Sequence, residues 1–306
     1  MKTEDSVVID AHVHTYPSLE IGRRALGGAG FGPFGTINEL LSMMDRTNIS
    51  QSVMSSLVPV HEMRKALLAK RPKTMTPAAE ERFTLDTNAE LVARIARRNR
   101  WACEAAQEES RLISLISVDV LQSPEQMVAD IEGLVTRFRA KGLKVHPVMN
   151  EYYPGDERLW PAYGAAQRMG IPVLFHSGAI ELPGYTNEFG RVGHFRKVAE
   201  RFPDLQMILA HLGKGEYDES IRIAEEHPNV FFDTAGCFLD SVRPREEVSE
   251  ELVSVIRKIG IHRVMFGSDW PWHDPGEDIA AINRLSVTEL EKEMILGSNA
   301  KRIFGI

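Results

Sequence analysis

Eight short apolar runs punctuate the chain, and most are followed by a stretch with helical spacing. The first run, Val7-Val8-Ile9-Asp10-Ala11, passes directly into His12-Val13-His14. Further strands are predicted at 52–60, 112–118, 142–146, 171–176, 205–211, 229–233 and 264–267. Between them, Ile37, Leu40, Leu41 and Met44 share one stripe of a helix over 37–47. A long helix is expected over 84–109. Ser123-Pro124-Glu125 opens another with a capping residue and a first-turn proline, and it runs to about 140. The remaining helices fall at 161–169, closed by Gly170, and at 192–202, 216–226, 246–259, 279–285 and 288–296. Residues 61–77 read as an irregular basic insertion with room for a short helix.

Repeated strand–helix units imply parallel strands joined by right-handed crossovers. Eight units with no linker between them predict one domain over 1–306, an α/β protein folded as a (β/α)8 TIM barrel. A doubly wound open sheet would need fewer strands or a nucleotide loop. The only candidate, Gly30-Phe31-Gly32-Pro33-Phe34-Gly35, stands well past the first strand and contains a proline. A dinucleotide turn follows its strand immediately, so this segment reads as a long loop over a site.

Composition changes the picture only at the margins. A net charge of −7 argues against a nucleic-acid surface, and no apolar run is long enough to span a bilayer. The polar, acidic residues 1–6 do not resemble a secretory signal, and Cys103 and Cys237 lack paired spacing. A cytoplasmic location is expected, with a small-molecule substrate as partner rather than nucleic acid or membrane. Self-association as a homo-oligomer is compatible with such a barrel.

The polar residues that end the strands carry the chemistry. They are His12 and His14, Lys144 and His146, His176, His211 and Asp269. Residues i and i+2 of a strand point to one side, so His12 and His14 present two imidazoles together. In a barrel these strand ends meet on one face, where active sites are built. A lone histidine on a strand is usually a hydrogen-bonded core residue, but five of the ten histidines take strand-end positions. Imidazole and carboxylate suit a divalent metal with an open position for water, whose pKa falls to ~7 when bound. His61, His194, His227, His262 and His273 lack that placement and are assigned to surface or structure. Asp10 lies deeper than the pair and is expected to play a supporting role.

Together these segments resemble the amidohydrolase superfamily, and within it the amidohydrolase-2 branch related to aminocarboxymuconate semialdehyde decarboxylase. The resemblance rests on Ile9-Asp10-Ala11-His12-Val13-His14, Gly142-Leu143-Lys144-Val145-His146-Pro147, Pro172-Val173-Leu174-Phe175-His176-Ser177-Gly178, Ile208-Leu209-Ala210-His211-Leu212-Gly213, Phe266-Gly267-Ser268-Asp269-Trp270-Pro271 and the terminal run 296–305. It implies a metal-dependent barrel in which His12, His14, His176 and Asp269 hold one divalent ion, zinc first and manganese second. It also implies that His211 activates or orients a water, with Asp269 sharing the proton transfer. Other branches carry a carboxylated lysine on the fourth strand that bridges two metals. Lys144 stands there, and with His146 it is assigned to a substrate carboxylate or carbonyl. Tyr152, Tyr153, Arg191, Trp270 and Trp272 are further substrate candidates on the loops, Trp270 foremost.

The branch contains two chemistries. Hydrolysis of a small lactone or amide is the leading expectation, because the chain is compact and has no large insertion late in the barrel. Non-oxidative decarboxylation of an aromatic or unsaturated acid is the alternative. A barrel that only binds or scaffolds is a third, and the intact ligand set argues against it.

Overall fold

The computed structural model describes residues 7–27, 32–180, 184–238 and 245–306. The acidic start and most of the first half of the Gly30–Gly35 motif lie outside them. Eight parallel strands follow one another in sequence order: β1 (Ile9–Val13), β2 (Gln51–Ser55), β3 (Leu112–Ser117), β4 (Gly142–Val145), β5 (Val173–Phe175), β6 (Met207–Leu209), β7 (Val230–Asp233) and β8 (Val264–Met265). This is the expected barrel. Its last strand is only two residues long, so backbone bonds beyond it complete the ring. Ala11 N donates to Phe266 O (2.9 Å), His14 N to Trp270 O (2.7 Å) and Asp269 N to His12 O (2.9 Å). The backbones of three candidate metal ligands, His12, His14 and Asp269, therefore form part of the barrel seam.

Helices form where the pattern and caps place them. Thr36 and Glu39 make a reciprocal capping box at Ile37–Thr47, and Ser123 caps Pro124–Phe138. Gly170, in the left-handed region at φ 65°, ends Trp160–Met169. Several expected boundaries shift. The basic insertion contains a regular helix, Val60–Leu68, and the long helix begins at Pro77 because Thr76 caps it. Residues 205–211 give a strand only to Leu209; Ala210–Gly213 is a tight turn in which His211 and Leu212 take φ of 61° and 50°. The main apolar cluster lies between strands and helices, with Phe175 between Tyr163 and Phe195. A second cluster, including Ile9, Leu174, Ile208 and Met265, fills the lower barrel. It leaves the strand ends as the place where polar side chains gather.

Candidate metal centre

At the mouth, the first-strand histidines meet Asp269. His12 Nε2 and His14 Nε2 are 3.2 Å apart. Asp269 Oδ1 lies 3.0 Å from His14 Nε2 and 3.6 Å from His12 Nε2. Ligands sharing one ion at ~2.0–2.1 Å stand about this far apart. Among the described residues, His12, His14 and Asp269 form the group of three or more metal-type side chains whose donor atoms all lie within 4.8 Å.

Hydrogen bonds fix which nitrogen carries a lone pair in His12, His176 and His211. His12 Nδ1 is 2.9 Å from Asp233 Oδ2. The Asp233 carboxyl is held below its usual range by His12 and by the backbone donor of His211, against its burial. As a carboxylate it only accepts, so Nδ1 carries the proton and Nε2 faces the group bare. A second chain does the same for His176. His211 Nδ1 donates to Ala235 O (2.8 Å), which leaves His211 Nε2 to accept from His176 Nδ1 (3.1 Å). His176 Nε2 is then a lone pair, buried and without a hydrogen-bond partner. His176 lies outside the compact trio, yet it offers the kind of nitrogen an ion would take. The buried orphan Nε2 of His176, with an anionic carboxylate among neutral imidazoles whose donor atoms converge, fits a divalent cation.

Burial sets the electrostatics. It lowers His12 to about 4, lowers His14, and holds His146 and His176 well below the usual imidazole range. His14 and His12 hold Asp269 well below the carboxylate range in spite of its burial. The rings are therefore neutral and Asp269 anionic at pH 7, the protonation states a metal requires. Lys144 Nζ donates to His12 Nε2 at 2.9 Å, and burial pushes the ammonium down to about 8.

These shifts predict an acid-sensitive fold. Histidines 12, 14, 146, 176, 262 and 273 all have lowered values, so unfolding takes up protons below pH 6.5. Asp10 (about 7), Asp119 (about 6) and Asp278 (about 8) are raised by burial and act in the opposite sense, but they are fewer. Where the unfolded chain binds more protons, stability falls as pH falls. The Tm of chelator-treated protein should drop steadily from pH 6.5 to about 5. An unchanged Tm across that window would contradict the neutral, buried histidines.

The other expected residues fall as follows. His146 stacks on His176 (4.0 Å, 9°) and its Nδ1 accepts from Met149 N, so it buttresses the His176 ring. The Trp270 indole is buried in the main apolar cluster, and its carbonyl accepts from His14 N. Trp272 takes the open position instead, 41% exposed and edge-on to His14 at 4.9 Å. Tyr152 is buried, and Arg191 is held in surface pairs with Glu216 and Glu188. Asp10 accepts from His12 N, Ser268 N and Ser268 Oγ (2.5 Å), clamping β1 to the segment after β8. Asp233 escaped the sequence reading. It ends the apolar run Val230-Phe231-Phe232 as a carboxylate, but its partner His12 lies on the first strand.

Strain and space confirm where the fold has been shaped around this centre. His211, Leu212 and Asp269 adopt φ of 61°, 50° and 61°, a conformation that costs non-glycine residues ~1–2 kcal/mol each. A methyl on Gly267 would stand 2.9 Å from His12 Cβ and 3.4 Å from Asp233 Cβ. Gly267→Ala should therefore push the two apart, costing ~1–3 kcal/mol of stability and weakening metal retention, checked by thermal melting and metal analysis after dialysis.

With this geometry in hand, comparison with known proteins is direct. A family model described as amidohydrolase matches residues 9–306. The chain belongs to the amidohydrolase family. Gamma-resorcylate decarboxylase of Polaromonas sp. is 22% identical over 294 residues, covering 79% of this chain and 90% of that protein. The solved structure of a 2,6-dihydroxybenzoate decarboxylase with 2,6-dihydroxybenzoate superposes with a TM-score of 0.72 at 17% identity, covering 99% of this chain and 100% of the other. A dihydroxybenzoic acid decarboxylase from Polaromonas sp. JS666, holding manganese and 2-nitroresorcinol, gives 0.71 at 16% identity, covering 98% and 97%. This amidohydrolase thus shares its whole fold with decarboxylases of matching length. The compactness that favoured a hydrolase does not discriminate.

Proposed function

We propose that this amidohydrolase is a metal-dependent, non-oxidative decarboxylase of a hydroxylated aromatic carboxylic acid. The observation that carries the reading is the convergence of His12 Nε2, His14 Nε2 and Asp269 at the mouth of a barrel whose relatives are aromatic-acid decarboxylases. His12, His14 and Asp269 would hold the ion, with His176 Nε2 as the further donor, and manganese takes precedence over the zinc first expected because a structural neighbour contains it. When bound, that ion supplies positive charge that stabilises an ionised phenol or carboxylate oxygen of the substrate.

The chain's own groups then manage one proton and one bond. Asp269 is the ligand with a side chain open to the mouth, 20% exposed, and it rests as a carboxylate. It accepts the phenolic proton of an ortho-hydroxy acid and returns it to the ring carbon that carries the carboxyl group. The carbon–carbon electron pair then falls back into the ring, restoring aromaticity, and carbon dioxide leaves. Lys144 supplies the cation that meets the substrate's anionic group, Trp272 gives an exposed aromatic face beside His14, and His211 holds His176 in its ligating tautomer.

A panel comparing hydroxybenzoates with lactones and amides tests this. Carbon dioxide release from an ortho-hydroxybenzoate, with no turnover of the lactones, is the expected result. Hydrolysis of a lactone or amide without carbon dioxide release would restore the hydrolase reading, and inactivity throughout would favour a binding barrel.

A further inference from the structure

We infer that Asp233 is the positioning residue that holds both ends of the site, setting the tautomer of the metal ligand His12 and the backbone of His211 with one carboxylate. Asp233 is fully buried at the end of β7. Its Oδ2 accepts from His12 Nδ1 at 2.9 Å, a contact spanning 221 positions of sequence. Its Oδ1 accepts from His211 N at 2.8 Å and from Ala235 N at 3.1 Å. The first of these holds His211 in its left-handed turn. The second places the carbonyl of Ala235, which in turn receives the His211 Nδ1 proton. The lone pair on His12 and, through His211, the lone pair on His176 thus both trace back to Asp233. Orienting partners of this kind typically change metal affinity 10–100-fold. The inference rests on the metal reading above.

The two oxygens do separable work, which makes the role testable. In Asp233→Asn the amide oxygen stays with the two backbone donors, since facing them with an NH2 would oppose donor to donor twice. The NH2 then faces His12 Nδ1. An imidazole can switch tautomer where a peptide cannot, so His12 moves its proton to Nε2 and loses the lone pair aimed at the ion. Asp233→Ala removes support from His211 as well.

The experiment measures Mn2+ affinity of wild type, Asp233→Asn and Asp233→Ala by titration, together with Tm, turnover at saturating Mn2+, and 15N shifts of the histidine rings in chelator-treated protein. The expected result for Asp233→Asn is Mn2+ binding weakened about 10–100-fold, with turnover largely recovered when Mn2+ is saturating. Asp233→Ala should not recover. The His12 ring should be the Nδ1–H tautomer in wild type and Nε2–H in Asp233→Asn. Wild-type Mn2+ affinity in Asp233→Asn, whatever its Tm, would overturn the inference, as would an Nε2–H tautomer in the wild type. Because the wild-type tautomer is read without metal or variant, absence of Mn2+ binding by wild type would refute the metal reading separately.

Discussion

Asp269→Asn should lower kcat for an ortho-hydroxybenzoate by about 10²–10⁴-fold, the range typical of a lost acid–base group, and should also reduce bound metal. The two losses have one origin. Asp269 contributes the anionic oxygen of the trio, 3.0 Å from His14 Nε2, and it is the most open member of the group. An amide keeps the shape but carries neither the charge that holds a cation nor a proton it can pass to carbon. The left-handed backbone of Asp269, tied through its N–H to His12 O, keeps the side chain aimed as before, so the fold should tolerate the change. Steady-state kinetics at saturating Mn2+, paired with metal analysis, checks both effects. Turnover within threefold of wild type would remove Asp269 from the chemistry.

The largest structural effect is expected from Phe175→Ala. Phe175 is fully buried, edge-on to Tyr163 at 5.6 Å and to Phe195 at 5.3 Å, and it immediately precedes His176. Removing such a ring costs ~3–5 kcal/mol through lost burial and the cavity left behind. For a domain of this size that lowers Tm by on the order of 10 °C. The cavity would open on the helix-facing side of the strand that carries a proposed ligand, loosening that strand, so Mn2+ retention should fall along with Tm. A thermal melt with and without Mn2+ resolves the two contributions.

Most of the fold was legible because the strands were separate apolar runs and several helices carried their own caps. The capping box at Thr36 and Glu39 and the stop at Gly170 are local chemistry, and local chemistry survives folding. The site was legible in part. His12-Val13-His14 and Asp269 come together as strand-end polarity implied. Three features were not readable, each for a long-range reason. The bond from His12 to Asp233 joins residues on strands one and seven, and nothing near either announces it. The packing of the Trp270 indole into the main apolar cluster, with Trp272 left exposed two residues on, is set by contacts across the barrel. The turn at His211 ends β6 early because Asp233 captures its N–H. Reaction type was the weakest inference, since both chemistries use one ligand set and chain length separates neither.

The central claim is metal-dependent loss of carbon dioxide at the His12–His14–Asp269 group. Its most direct test is headspace detection of labelled carbon dioxide from carboxyl-13C 2,6-dihydroxybenzoate, with Mn2+-loaded protein and again after chelation. Stoichiometric release of the label is expected with the ion present, abolished by the chelator and restored by added Mn2+. Release at the same rate after chelation, or none from the loaded protein with this acid and its hydroxybenzoate analogues, would contradict it.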